Sequence, residues 1–251
     1  MRVVQRHEAP CMSTLTSWLL MPLSGALENN IQPWAYWHAR CMVLGWGILI
    51  PVGVLLTRYF KITSGQKWPS ELDNKVWWHG HLALQWLAML TVSLGVVLAW
   101  GHSQYDSDAS RLHAWGGWTL LAIGWGQIAS GLSRGSKGGP TDPHLRGDHY
   151  DMTRRRIWFE RIHKFLGWLA VLMAIVLILM GLSVVDAPRW MPVILILWWL
   201  ALGFAAWFWQ KQGRCTDTYQ AIWGPDPQHP GNALPPIGWG VRRRKNRQQH
   251  G

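Results

Sequence analysis

Four histidines, His38, His81, His113 and His163, each stand at the edge of a long apolar run in this 251-residue chain. A neutral imidazole offers one lone pair to a metal or a proton, and sinking it into such a run is costly unless something uses it. The runs are residues 39–59, 76–100, 112–132 and 165–185, with a fifth, residues 190–210, that has no leading histidine. Each reaches the roughly 18–20 residues that cross a bilayer. Arg40 is the one charged residue in the first run before Arg58, and the second holds no acidic or basic side chain beyond its histidines.

Composition agrees with a membrane chain. Charged residues are 15% of the total, and 21 tryptophans far exceed ordinary soluble usage. The expected class is an all-α integral membrane protein: a four-helix bundle plus a fifth, peripheral transmembrane helix. Its segments are 1–35, extracytoplasmic or interfacial; 36–185, the core; 186–210, the fifth span; and 211–251, a Pro/Gly-rich basic tail read as an irregular surface extension. The patch Trp18–Leu23 is too short to span and suits an interfacial helix, with Met12 as a second candidate start. No internal repeat is evident.

Lysine and arginine set the expected orientation. The loop between runs one and two holds four, the loop between three and four, taken through Lys164, holds eight, and the tail holds seven. The opposite face has five, namely Arg2, Arg6, Arg40, Arg111 and Arg189. Positive charge collects on the cytoplasmic side, so the N-terminus is expected outside and the C-terminus inside a plasma or inner membrane. The net charge of +11 then reflects topology and anionic lipid, and nucleic acid is not an expected partner.

Alternating spans sort the histidines by depth. His38 and His113 fall near the outer face, His81 and His163 near the inner one, the levels being roughly 20–25 Å apart at 1.5 Å of rise per residue. Zinc takes three or four ligands with thiolate or carboxylate help, yet within the spans only Cys41 accompanies a histidine. Two strong axial nitrogens suit a low-spin haem iron. The expectation is therefore two haem b groups, the outer ligated by His38 and His113 and the inner by His81 and His163, with no residue in a catalytic acid, base or nucleophile role. Gln85, Gln127, Gly124 and Gly167 are the pocket candidates, on small-residue tracks that follow the His113 face (Gly117, Gly124, Gln127, Gly131) and the His163 face (Gly167, Ala170, Ala174, Gly181).

His79 and His81 lie about 200° apart around a helix and cannot serve one centre. His81 shares its face with Gln85, Ala88, Val92 and Gly95, whereas His79 goes with Leu82, Ala83, Trp86 and Leu90, a lipid-facing set. His102 is expected at the interface, His144 and His149 as solvated loop residues, and His7, His229 and His250 at the surface. Cys11, Cys41 and Cys215 form no CxxC pair and read as packing residues.

Taken in order, His38-Ala39-Arg40 running into residues 46–53 and Arg58-Tyr59, Trp77-Trp78-x-x-His81 with Gln85, His113 with Gln127, and residues 161–167 around His163 resemble the cytochrome b561 family. The resemblance covers roughly residues 36–185 and comes nearest to cores joined to DOMON domains, of which these residues contain none. It implies a four-helix core with two b haems that moves electrons across the membrane, often from cytoplasmic ascorbate to a ferric or monodehydroascorbate acceptor. Arg154, Arg155, Arg156 and Lys75 are candidates to attract an anionic reductant, although the positive-inside pattern explains them without one. The expected function is transmembrane electron transfer between a small-molecule or protein donor and acceptor, with ferric or ascorbate-linked reductase activity as one form. Two alternatives stand beside it: a cytochrome b subunit of a larger complex that exchanges electrons with quinol or a partner protein, and a non-redox structural subunit. Membrane lipid is the expected surrounding, and a homodimer or a larger membrane complex the expected assembly.

Overall fold

The computed structural model describes residues 14–28, 31–102, 106–144 and 146–244. Expectations for Met12, Cys11, His7 and His250 fall outside these residues. Helix α1 is Thr14–Leu20, and one long rod follows, made of α2 (Pro33–Met42), a π-helical segment (Val43–Leu49) and α3 (Ile50–Tyr59). Then come α4 (Val76–Trp100), α5 (Asp108–Leu132), α6 (Arg154–Val184), α7 (Trp190–Lys211) and two short helices, α8 (Thr218–Trp223) and α9 (Pro230–Ala233). Among the described residues there is no strand, only two isolated bridges. The rod Pro33–Tyr59, α4, α6 and α7 are each long and apolar enough to cross a bilayer. Helix α5 matches α4 in length, but its Gly, Ser and Gln content makes it less apolar.

Local chemistry starts and bends these helices. Pro33 sits in the first turn of α2, where its missing N–H costs nothing. Ser107 and Ser110 form a reciprocal capping box at the start of α5, and the Thr153 side chain accepts from Arg156 N at the start of α6. In the rod, Pro51 has no N–H to give to the Gly47 carbonyl four residues back. The indoles of Trp198 and Trp199 on α7 both donate to that carbonyl, each at 3.1 Å. That carbonyl is an acceptor in an apolar setting, and the fifth span is fastened to it. Helix α7 otherwise stays peripheral, with Leu195 its one buried residue.

The core is two helical hairpins laid together. The rod packs on α4, α5 packs on α6, and α4 also meets α5. Trp46, Ile50, Ala88, Met89, Val92, Leu120, Ala170, Ala174 and Ile178 fill the space between. Apolar helices in lipid associate through close packing and small residues, and Gly45 shows how close: a Cβ there would lie 2.5 Å from Val92 Cγ2 and 3.0 Å from the Ala88 carbonyl oxygen.

Both ends of the bundle carry folded segments. At one end, Leu23 N donates to Ala187 O, Arg189 N to Met21 O and Ser24 N to Asp186, so the N-terminal segment is seated on the α6–α7 link. At the other, the loop after α5 and the tail fold over the bundle, contrary to the expected irregular extension. Tyr219, Ile222 and Trp223 are buried with Trp77 and Met152, Lys164 donates to Ile237 O and Arg58 to Trp239 O. Aromatic residues of the tail find apolar surface at the helix ends, and basic residues of the helices find carbonyls in the tail. The close hairpin contact yields a prediction. Gly45→Ala should lower stability by about 1–3 kcal/mol through overpacking, read as a lower thermal unfolding midpoint in detergent; an unchanged midpoint would contradict the approach of α4 to the rod.

Candidate functional site

A histidine ring has two nitrogens, and in an apolar bundle both must be accounted for. His38 on α2 has its Nδ1 2.9 Å from Gly95 O on α4, and His81 on α4 has its Nδ1 3.4 Å from Gly53 O on α3. The second hairpin repeats the scheme. His113 on α5 has Nδ1 3.1 Å from Leu177 O on α6, and His163 on α6 has Nδ1 3.1 Å from Ser130 Oγ on α5. Carbonyl oxygens only accept, so the first three Nδ1 atoms carry the proton and donate it. Ser130 gives its own hydrogen to Gln127 O at 2.9 Å, so its oxygen accepts from His163 Nδ1. Each imidazole is thus held by the other helix of its hairpin, and each Nε2 keeps a free lone pair. That is the tautomer of a metal-ligating histidine whose other nitrogen is fixed by an outer partner.

The two pairs lie across the hairpins. The rings of His38 and His113 lie edge to face, with centroids 6.2 Å apart and planes at 76°. Two imidazoles on opposite sides of one metal, each bonded at roughly 2.0–2.1 Å, would place their centroids about 6 Å apart. His81 and His163 line one cavity of about 530 Å³, within the size range of cofactor sites. Small residues make room at both levels. A Cβ on Gly181 would come 2.8 Å from His113 Cε1, and one on Gly131 would lie 4.0 Å from His163 Cε1. Among the described residues no cluster of three or more His, Cys, Asp or Glu could hold a metal ion. The chemistry of the donor set, two imidazole nitrogens per pair with a cavity beside His81 and His163, fits a haem.

The four pocket candidates line the inner cavity, each with a further task. Gln127 donates to His163 O at 2.7 Å and Gln85 to Ile50 O at 3.4 Å, so both amides tie helices together. A Cβ on Gly124 would meet Met89 and Trp46, and one on Gly167 would lie 3.2 Å from Gln127 Nε2. His79 is exposed, whereas Ala88, Val92 and Gly95 on the His81 face are buried. His102 is exposed and stacks on Trp34 with centroids 5.8 Å apart. Of the basic residues considered for an anionic reductant, Arg156 lines the cavity and pairs with Glu160 at 3.2 Å, while Lys75, Arg154 and Arg155 are exposed.

His149 departs from expectation. It is not a solvated loop residue but 1% exposed, packed on Tyr219 and accepting from Trp223 Nε1 at 3.3 Å. His229 likewise turns inward, its ring edge-on to Tyr150 and Trp223. Both depend on tail aromatics that pattern reading left on the surface. Burial, helped by Arg156, pushes the His149 pKa down to about 3. Lys61, buried and donating to Thr216 O at 3.1 Å, is pushed down to about 8, mainly by desolvation and then by Lys164.

A family model described as eukaryotic cytochrome b561 matches residues 37–187. A cytochrome b561, DM13 and DOMON domain-containing protein of Arabidopsis thaliana is 27% identical over 160 residues, which are 64% of this chain and 16% of that protein. A cytochrome b561 and DOMON domain-containing protein of the same plant is 27% identical over 152 residues, 59% of this chain and 28% of the relative. The chain thus spans less than a third of the length of either. No solved structure matches it.

The state of His149 has a consequence for acid stability. Its folded pKa lies below the unfolded value of 6.5, so between about pH 6.5 and about pH 3 the unfolded chain binds a proton that the folded chain refuses, and stability falls as pH falls. His149→Leu should make that part of the acid limb shallower in pH-dependent thermal unfolding. An identical slope in the variant would show that His149 titrates normally.

Proposed function

The chain belongs to the cytochrome b561 family, and we propose that it carries electrons across a membrane between two b haems, one held by His38 and His113 and the other by His81 and His163. The family supports an integral membrane cytochrome b that binds haem b and performs oxidoreductase-type electron transfer. The single observation that carries the finer reading is the 6.2 Å separation of the His38 and His113 rings with both Nδ1 atoms bonded to neighbouring helices. The cavity shared by His81 and His163 supports the second centre. Bound there, haem would supply one-electron redox chemistry at its iron.

The chain's own residues do the rest. Each Nδ1–H bond fixes ring orientation and raises the basicity of the opposite nitrogen, as outer partners of ligating histidines do. Gly181 and Gly131 keep side chains away from the facing histidines. Trp46, Met89 and Ala170 wall the inner cavity with apolar surface, which excludes water and lowers the local dielectric. On the basic side we place the cytoplasm, following the distribution of lysine and arginine, with donor and acceptor being small molecules or proteins on the two faces.

Purified wild-type protein should contain two haems per chain, both low-spin, by haem extraction and reduced-minus-oxidised spectroscopy. His113→Ala should lose the outer centre alone and His81→Ala the inner one alone, each removing about half of the signal. One haem per chain in the wild type, or two retained in either variant, would overturn the assignment.

A further inference from the structure

Three of the four histidine bonds are made to main-chain carbonyls, and the fourth is made to a side chain. Gly95 O, Gly53 O and Leu177 O serve His38, His81 and His113, whereas Ser130 Oγ serves His163. A carbonyl belongs to the backbone and stays whatever residue stands there. A hydroxyl is removed by one substitution, and it must also be turned the right way, because it can donate as well as accept.

Ser130 is turned by its own helix. Its hydrogen goes to Gln127 O at 2.9 Å, which leaves the oxygen to accept from His163 Nδ1 at 3.1 Å. The Gln127 side chain closes the circuit, its Nε2 donating to His163 O at 2.7 Å. One turn of α5 thus grips His163 of α6 twice, once at the ring and once at the backbone. Two glycines give the grip its room: a Cβ on Gly167 would stand 3.2 Å from Gln127 Nε2, and one on Gly131 would stand 4.0 Å from His163 Cε1. Gln127, Gly131, His163 and Gly167 all line the inner cavity. In such a mainly apolar setting a hydrogen bond is electrostatically stronger than in water.

We propose that Ser130 is a positioning residue of the inner centre. It fixes the plane of the His163 imidazole and, by accepting from Nδ1–H, sets the basicity of Nε2 and with it the reduction potential of that centre, independently of the outer one. The proposal rests on the haem reading above. A histidine that shares its Nδ1 proton gives more electron density to a metal at Nε2, which favours the oxidised iron and lowers the potential. Removing the acceptor therefore raises it. The outer centre has no counterpart, since both of its histidines bond to carbonyls.

Haem-loaded full-length protein in detergent would be titrated by redox potentiometry as wild type, as Ser130→Ala, which is nearly isosteric and loses the acceptor, and as Ser130→Thr, which keeps the hydroxyl. His81→Ala, which lacks the inner centre, shows which of the two midpoint potentials belongs to it. Ser130→Ala should favour the reduced inner centre by about three- to tenfold, a rise of roughly 30–60 mV at 59 mV per tenfold for one electron. The outer potential should not move, and Ser130→Thr should return the wild-type value. If Ser130→Ala fails to load the inner haem, loading by Ser130→Thr at the wild-type potential supports the assignment, and failure of both variants shows a packing role and overturns it. An unchanged inner potential in Ser130→Ala, an equal shift of both centres, or a Ser130→Thr protein that titrates as Ser130→Ala does would also overturn it. A wild type without haem, or a His81→Ala protein that keeps both haems, would instead remove the reading beneath it.

Discussion

An imidazole buried among apolar helices must spend one nitrogen on a hydrogen bond before the other can do chemistry. Here each of the four histidines spends Nδ1 on the helix with which its own helix forms a hairpin: His38 on Gly95, His81 on Gly53, His113 on Leu177 and His163 on Ser130. The rest of the bundle is arranged around that requirement. Reaching a helical carbonyl laterally demands close backbones, which is why glycine supplies two of the acceptors and why Gly45 leaves no space for a methyl group. With the Nδ1 atoms committed, the Nε2 atoms remain available, and the histidines that come together, His38 with His113 and His81 with His163 around one cavity, belong to different hairpins.

The same rule of obligatory partners explains the periphery. The Gly47 carbonyl is an acceptor in an apolar setting, and the fifth span supplies two indoles to it. At the basic end, Arg58 and Lys164 reach carbonyls of the tail, while Arg156 and Lys164 share Glu160 along one face of α6. The tail is therefore a wall of the inner cavity. It lends the cavity Ile237, Trp239 and Val241, and Lys61, Arg134 and Arg156 line the same space.

Much of this was legible in the sequence because hydropathy and helical phase are local properties. The apolar runs marked the long helices, and the 200° separation of His79 and His81 put one outward and the other on the face with Ala88 and Val92. Alternating spans gave the expectation that His38 pairs with His113 and His81 with His163; in the fold the first two rings lie 6.2 Å apart and the other two line one cavity. What stayed hidden depended on distant partners. Ser130 looked like any small polar residue in a span until α6 brought His163 beside it. His149 was read as solvated because nothing near it in the chain foretells Trp223, and nothing near Lys61 foretells its bond to Thr216. Helix α6 begins at Arg154, eleven residues before the apolar run starts, since an Arg–Glu–Lys ladder carries the helix beyond the apolar stretch. Gln127 was read as a pocket amide, and in the fold it lines the cavity while its N–H also holds the carbonyl of His163.

The central claim is that two histidine pairs at different depths form one electron path through the bundle. Its most direct test is electron transfer across sealed proteoliposomes, with a membrane-impermeant oxidant such as ferricyanide trapped inside and a reductant supplied outside. The account predicts steady reduction of the trapped oxidant by wild-type protein, and loss of that flux when either His81 or His113 is replaced by alanine, because each variant breaks one half of the path. Flux at the wild-type rate in both variants, or none from a wild type that carries both haems, would contradict it.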